Sequence, residues 1–174
     1  MRNLAAALFV PALFAGAAFA QAPAPAANPL DTVPEKMPFD VPYGAPISLE
    51  RAQAAIAAAV GDAKGHNWKL NVAVVDSGGH LVAFQRMDGA QLASVRIAEH
   101  KATAAAQFRR ETKVFEGGIQ NGLNYLITLD GVIGSRGGIL LMDGGKLVGA
   151  IGCSGGTGSQ DEVICKAGAA AVNK

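Results

Sequence analysis

After Pro46 the chain contains no proline: all eight lie before Ile47, and seven of them fall between Gln21 and that residue. Nothing from Ser48 to Lys174 therefore forces a break in a helix or an edge in a sheet. Residues 21–47, by contrast, read as a Pro/Ala-rich leader without a core of its own. Aromatic residues are scarce, 6% of the chain against 50% hydrophobic residues overall, so the core must be made mainly of Ala, Val, Leu and Ile. Such a core buries modest area per residue, which favours reinforcement by subunit contacts. An excess of either charge is missing too. The formal net charge is +1, and it falls to zero when Arg2 is removed with the first twenty residues. A neutral chain with interspersed signs lacks the electrostatic footprint of nucleic-acid binding or of docking on anionic lipid.

Long apolar runs are absent except at the start. Leu4 to Ala20 is almost entirely apolar, follows Met1-Arg2-Asn3 and ends in Ala18-Phe19-Ala20, the small-x-small pattern that a signal peptidase cuts. This predicts a signal peptide over residues 1–20, cleavage between Ala20 and Gln21, and a mature protein that is periplasmic or secreted and has no membrane span. Cysteine is limited to Cys153 and Cys165. An even count in an exported chain points to one disulfide, the alternative being two buried free thiols. There is no Cys-x-x-Cys-His for covalent haem attachment and no zinc-ligand spacing.

What is present reads as one α+β domain over residues 48–174. Ser48 is a good N-cap, and Ala52, Ala55, Ile56, Ala59 and Val60 recur at helical spacing until Gly61 and Gly65. Leu70–Asp76 and Leu81–Met87, joined by Ser77-Gly78-Gly79-His80, predict a hairpin. An Ala-rich helix follows from about Leu92 to Phe108, then a shorter one after Thr112 that stops near Gly122. The segment 124–136 reads as loop with a short extended piece. Gly138–Met142 and Lys146–Gly152 form a second hairpin around Asp143-Gly144-Gly145. A final helix runs from Ser159 or Gln160 to about Val172. The order is α-ββ-αα-β(β)β-α, and two hairpins separated by helices require an antiparallel sheet with helices packed on it.

Three segments carry a family likeness. They are Val74-Val75-Asp76-Ser77-Gly78-Gly79-His80-Leu81-Val82 continuing to Arg86-Met87-Asp88-Gly89-Ala90, then Ala98-Glu99-His100-Lys101-Ala102-Thr103-Ala104, and Val148-Gly149-Ala150-Ile151-Gly152 with Ser154-Gly155-Gly156 and Gln160-Asp161-Glu162. In that order and spacing the chain resembles the GlcG/HbpS-type haem-binding family, which includes the C-terminal domain of PduO-type proteins. The resemblance runs from Ser48 to the C-terminus. It implies a five-stranded antiparallel sheet, assembly into homo-oligomers and, for some members, non-covalent binding of haem. Related sequences typically carry small apolar residues where this one has Cys153 and Cys165, and that joint departure favours a bond.

The three histidines are the first candidates for an axial iron ligand. His66 ends the first helix, where its charge suits the helix dipole. His80 sits at a hairpin tip and reads as a solvated turn residue. His100 lies on the central helix, three residues before Thr103, so the two can be neighbours on one side. His100 is the candidate axial ligand; Thr103, in the segment the resemblance associates with haem, is a weaker one. Arg86 and Lys101 could supply cations for propionates. The plainer readings are that Arg86 pairs with Asp76 or Asp88 and that Lys101 makes a surface or intersubunit ion pair. The Gly152–Thr157 corner precedes a helix but lacks the Gly-Lys-Ser/Thr ending of a phosphate loop. It reads as a tight strand-to-helix corner, with a small carboxylate site as the alternative, and no side chain is placed to activate its hydroxyls.

The expected function is an exported, oligomeric haem-binding protein that captures, buffers or senses haem, more plausibly non-enzymatic than enzymatic. An envelope sensor or receptor would be its partner. The alternatives are an accessory protein or enzyme acting on a glycolate-type organic acid, and an interaction module with no ligand.

Overall fold

A computed structural model describes residues 31–174; the expected signal peptide, its cleavage site and the first part of the leader lie outside the described residues. Helix α1 spans Leu49–Gly65, and the Ser48 hydroxyl caps it by accepting from the Arg51 amide at 3.3 Å. Strands β1 (Asn71–Asp76) and β2 (Leu81–Arg86) form the first hairpin. Helices α2 (Ser94–Phe108) and α3 (Lys113–Gln120) follow. Strands β3 (Gly138–Asp143) and β4 (Lys146–Ser154) make the second hairpin, and α4 (Gly158–Ala170) closes the chain.

The sheet is wholly antiparallel in the order β2-β1-β4-β3, so the two hairpins join through their inner strands, with Val74 opposite Ile151. It has four strands among the described residues, and this corrects the five that the family resemblance implied. The segment 124–136 supplies none. Asn124–Thr128 forms a 3₁₀ helix in which only Leu126 is buried, and Gly131 and Gly137 take positive φ on its far side. A single buried side chain is too little to seat a strand on a core. The end of the leader does touch the sheet: the Leu147 amide donates to Pro42 O at 2.8 Å and the Ile47 amide to Val148 O at 2.8 Å. Lys36–Lys174 form one compact unit.

Alternation divides the sheet into two unlike faces. One carries Val72, Val74, Ile139, Leu141 and Ile151 against Ile56, Val60 and Ile164 of α1 and α4. Each such side chain contributes about 1.5–3 kcal/mol on burial. The other presents Ala73, Val75 and Ala150 to Ala98, Ala102 and Ala105 of α2. Small residues let α2 approach closely, and Gly152 shows how closely: a Cβ there would overlap Ala98 O and the Ala102 amide. The Cys153–Cys165 disulfide is formed, with Cα atoms 5.6 Å apart, and ties the end of β4 to α4. Closing a loop of this length is worth about 3 kcal/mol.

Candidate functional site

Three residues one helical turn apart, His100, Thr103 and Gln107, make a stripe along α2. Two loops pin it. On one side is the β1–β2 turn, where the Thr103 hydroxyl donates to Gly79 O at 3.2 Å and Gln107 Nε2 donates to Gly78 O at 3.3 Å. On the other side is the loop containing Gly131, whose carbonyl lies 3.1 Å from His100 Nε2. Because a carbonyl only accepts, Nε2 is the donor in this contact, and in the neutral ring Nδ1 is the nitrogen that carries the lone pair. Both walls are glycine backbone. Gly79 has φ 89°, and a Cβ on it would press on the Gln107 side chain at 3.0 Å. The result is a polar stripe on α2 bordered by two loops, with His100 and Gln107 exposed and Thr103 half-buried.

The turn that forms one wall is itself fixed. Asp76 Oδ1 accepts from the Gly78 amide at 2.8 Å and from the His80 amide at 3.0 Å, and the His80 ring lies 3.3 Å away. Burial works to raise the Asp76 carboxyl, but those amides and the imidazole outweigh it and hold it below its ordinary value.

The other two residues expected at the site are elsewhere. Lys101 is one of the most buried side chains in the molecule, 1% exposed. Its Nζ lies 2.7 Å from Asp161 Oδ2 and donates to Cys153 O at 3.2 Å. It is neither a propionate cation nor a surface or intersubunit pair, because α2 packs so near β4 that the ammonium is enclosed and must find its partner inside. Burial pushes the Asp161 carboxyl above its ordinary value, against the pull of Lys101. Arg86 ends β2, whereas Thr103 touches the turn before β2; five strand steps of about 3.3 Å separate the two ends. Arg86 makes no ion pair with Asp76 or Asp88, since Asp76 sits at that same distant turn.

At the Gly-rich corner after β4 the chain's own side chains accept from the amides that an anion would use. Thr157 and Gln160 form a reciprocal capping box at the start of α4, and Asp161 Oδ1 accepts from the Gly156 amide at 3.0 Å. His66 caps the end of α1 and stacks on Trp68 with centroids 4.4 Å apart. Among the described residues no group of three or more His, Cys, Asp or Glu side chains could hold a metal ion, and no helix is long and apolar enough to cross a membrane.

A second feature, with no signal among the sequence motifs, lies away from the α2 stripe. A cavity of about 450 Å³ opens at the other end of the β1–β2 hairpin, lined by Val60, Lys64, Trp68, Lys69, Arg86 and Met87 among others. Outside those motifs, the αL-compatible Asn67 just past the helix is the signal that could have located it.

A small antiparallel sheet with an Ala-rich helix laid on its glycine-bearing strand defines the class of fold. The family model described as haem degrading protein HbpS-like matches residues 47–170, and the chain belongs to that family. It is 40% identical over 108 residues to Protein GlcG of Escherichia coli, a match spanning 62% of this chain and 81% of that protein. The fold is similar to the crystal structure of a double mutant of Streptomyces reticuli HbpS, with TM-score 0.70 and 30% identity, covering 86% of this chain and 100% of that one. It is also similar to the crystal structure of a PduOC:heme complex, with TM-score 0.67 and 29% identity, covering 74% and 96% of the two chains.

Proposed function

We propose that this protein binds haem non-covalently on the α2 stripe of His100, Thr103 and Gln107, as an exported homo-oligomer acting in the periplasm or outside the cell. The observation that carries the reading is the His100 imidazole. Metal-ligating histidines nearly always donate their second ring N–H to a carbonyl or carboxylate, which sets the tautomer and the ring orientation. His100 Nε2 meets the Gly131 carbonyl in that way, leaving Nδ1 as the nitrogen available to a metal on an exposed ring. Thr103 is the poorer ligand, since a neutral hydroxyl oxygen donates to iron more weakly than an imidazole nitrogen. Bound haem would bring a redox-active iron; the chain's part is to hold and orient it. The solved haem complex of a similar chain supports the ligand class. Lys101 is enclosed and Arg86 is remote, so neither is assigned to the propionates. His100 and Gln107 are exposed, and a second copy is the natural cover for the outer face of a flat ligand held there.

Titrating hemin into the mature domain tests this. A saturable Soret shift is expected, and His100→Ala should change its position and weaken binding, while Thr103→Val should leave the band in place. Absence of a saturable shift in wild type overturns the function. An unchanged spectrum in His100→Ala overturns the ligand assignment.

A further inference from the structure

We propose that the cavity at the open end of the β1–β2 hairpin is a second ligand site, distinct from the α2 stripe, for a compact, flat carboxylate carrying more than one acid group. It starts from the way α1 ends. Asn67 follows the cap residue with φ 58°, its amide donates to Lys64 O at 3.0 Å, and the Trp68 amide reaches back to Ala63 O at 2.9 Å. This is the Schellman arrangement, with asparagine at the left-handed position that otherwise favours glycine. It satisfies the Lys64 and Ala63 carbonyls at the end of the helix. It also fixes Trp68, which packs half-buried on the core with His66 stacked on its ring.

The lining then sets the ligand. Val60, Trp68 and Met87 supply apolar wall, and the Met87 sulfur is held by the Leu70 amide at 3.5 Å. Lys64, Lys69 and Arg86 supply three cations against one acid, Asp88. Among the described residues no carboxylate lies within 4.0 Å of any of these three. All three are exposed, so their charge faces solvent at the rim of the cavity. Unpaired cations converging on an indole-lined cavity of about 450 Å³ suit a small anion with a flat face. The volume lies in the range of small-molecule sites, roughly 300–1,000 Å³. Arg86 offers the planar fork that grips one carboxylate by two hydrogen bonds, and the lysines act as point charges for a second.

Trp68 is the only tryptophan in the chain, so its fluorescence reports on this cavity alone. The experiment titrates isophthalate into the mature protein. The neutral diol of the same ring, benzenedimethanol, and sodium chloride at matched ionic strength serve as controls. A saturable fluorescence change is expected with isophthalate and with neither control. Arg86→Gln should weaken it about tenfold, the loss of one charge-assisted bidentate contact. Lys146→Gln, exposed at the start of β4, should not affect it. An equal response to the diol, or an unchanged affinity in Arg86→Gln, overturns the proposal. The hemin Soret response of Arg86→Gln should match wild type; its loss would show one site instead of two and would also overturn it. A wild type that answers isophthalate but not hemin overturns the haem reading and leaves this site standing.

Discussion

Two groups of cations divide this molecule. Lys101, Lys113, Arg136 and Lys166 surround the start of α4, and each meets a carboxylate: Asp161 for Lys101, Glu116 and Glu162 for Arg136, Glu162 for both Lys113 and Lys166. Lys64, Lys69 and Arg86 surround the hairpin cavity and meet none within the described residues. The first group is committed to holding α2, α3 and α4 together. The second leaves its charge facing solvent, where a ligand can use it. The contrast teaches that a positively charged residue in a family motif is no guide to ligand binding until its partner is known. Lys101 and Arg86 looked alike in the sequence and belong to opposite groups.

The sharpest way to break this contrast is to unpair the most enclosed member. Lys101→Met removes the ammonium and leaves Asp161, 3% exposed, as an uncompensated buried carboxylate. Breaking one side of a buried pair costs about 3–5 kcal/mol, whereas replacing both sides with apolar residues of similar size is often neutral. Lys101→Met should therefore lower the urea midpoint severely, and Lys101→Met with Asp161→Leu should recover much of the loss. The recovery is incomplete, because Asp161 also accepts from the Gly156 amide. A single variant within about 1 kcal/mol of wild type would show that the pair is not structural.

A milder test uses acid. Hydrogen bonding from Arg136 holds the Glu116 carboxyl below its ordinary value of 4.5. Burial opposes ionisation of Glu162, but hydrogen bonds from Lys166 and Lys113 outweigh it and also lower that group from 4.5. A folded-state carboxyl that is lowered favours its charged form. Its contribution is complete above the unfolded value and is lost as pH falls through the folded one. Stability should thus fall as pH drops below about 4.5, and Glu162→Gln should flatten that fall at the expense of stability near neutrality. A pH profile indistinguishable from that of wild type would remove Glu162 from the committed group.

The sequence made the helices and hairpins legible because their signals are local. Alanine and isoleucine spacing marks α1, and β-branched runs around Gly78-Gly79 and Gly144-Gly145 mark the turns. The disulfide was half legible: an even cysteine count named the pair, but only the fold-back of α4 over β4 brings Cys153 and Cys165 together. Lys101 was misread because its partner, Asp161, lies sixty residues on and no local pattern links them. The separation of Arg86 from Thr103 follows from placing them at opposite ends of one strand, yet their closeness in sequence to a shared helix concealed it. The 3₁₀ helix at Asn124–Thr128 has neither the strand period nor the helix period to betray it.

The smallest expected effect belongs to the unpaired group. Arg86→Gln, Lys64→Gln and Lys69→Gln should each change stability by no more than about 0.5 kcal/mol, the usual scale for a surface substitution away from a network. The three should not be identical. The Lys69 stem lies against the Asp88–Gly89 turn, where a Cβ on Gly89 would come within 3.2 Å of Lys69 Cδ and Nζ. Part of its value is therefore packing, and Lys69→Met should keep that part while Lys69→Gln loses some of it. Lys64 sits exposed in the last turn of α1, so its removal forfeits a solvent-screened interaction with the helix dipole, about 0.3–0.5 kcal/mol. Arg86 ends an edge strand and has neither kind of support, so Arg86→Gln should be the mildest of the three in urea. It should at the same time be the most damaging to any anion held in the cavity. A cost above about 1.5 kcal/mol for Arg86→Gln would place it with Lys101 instead, as a residue the fold needs.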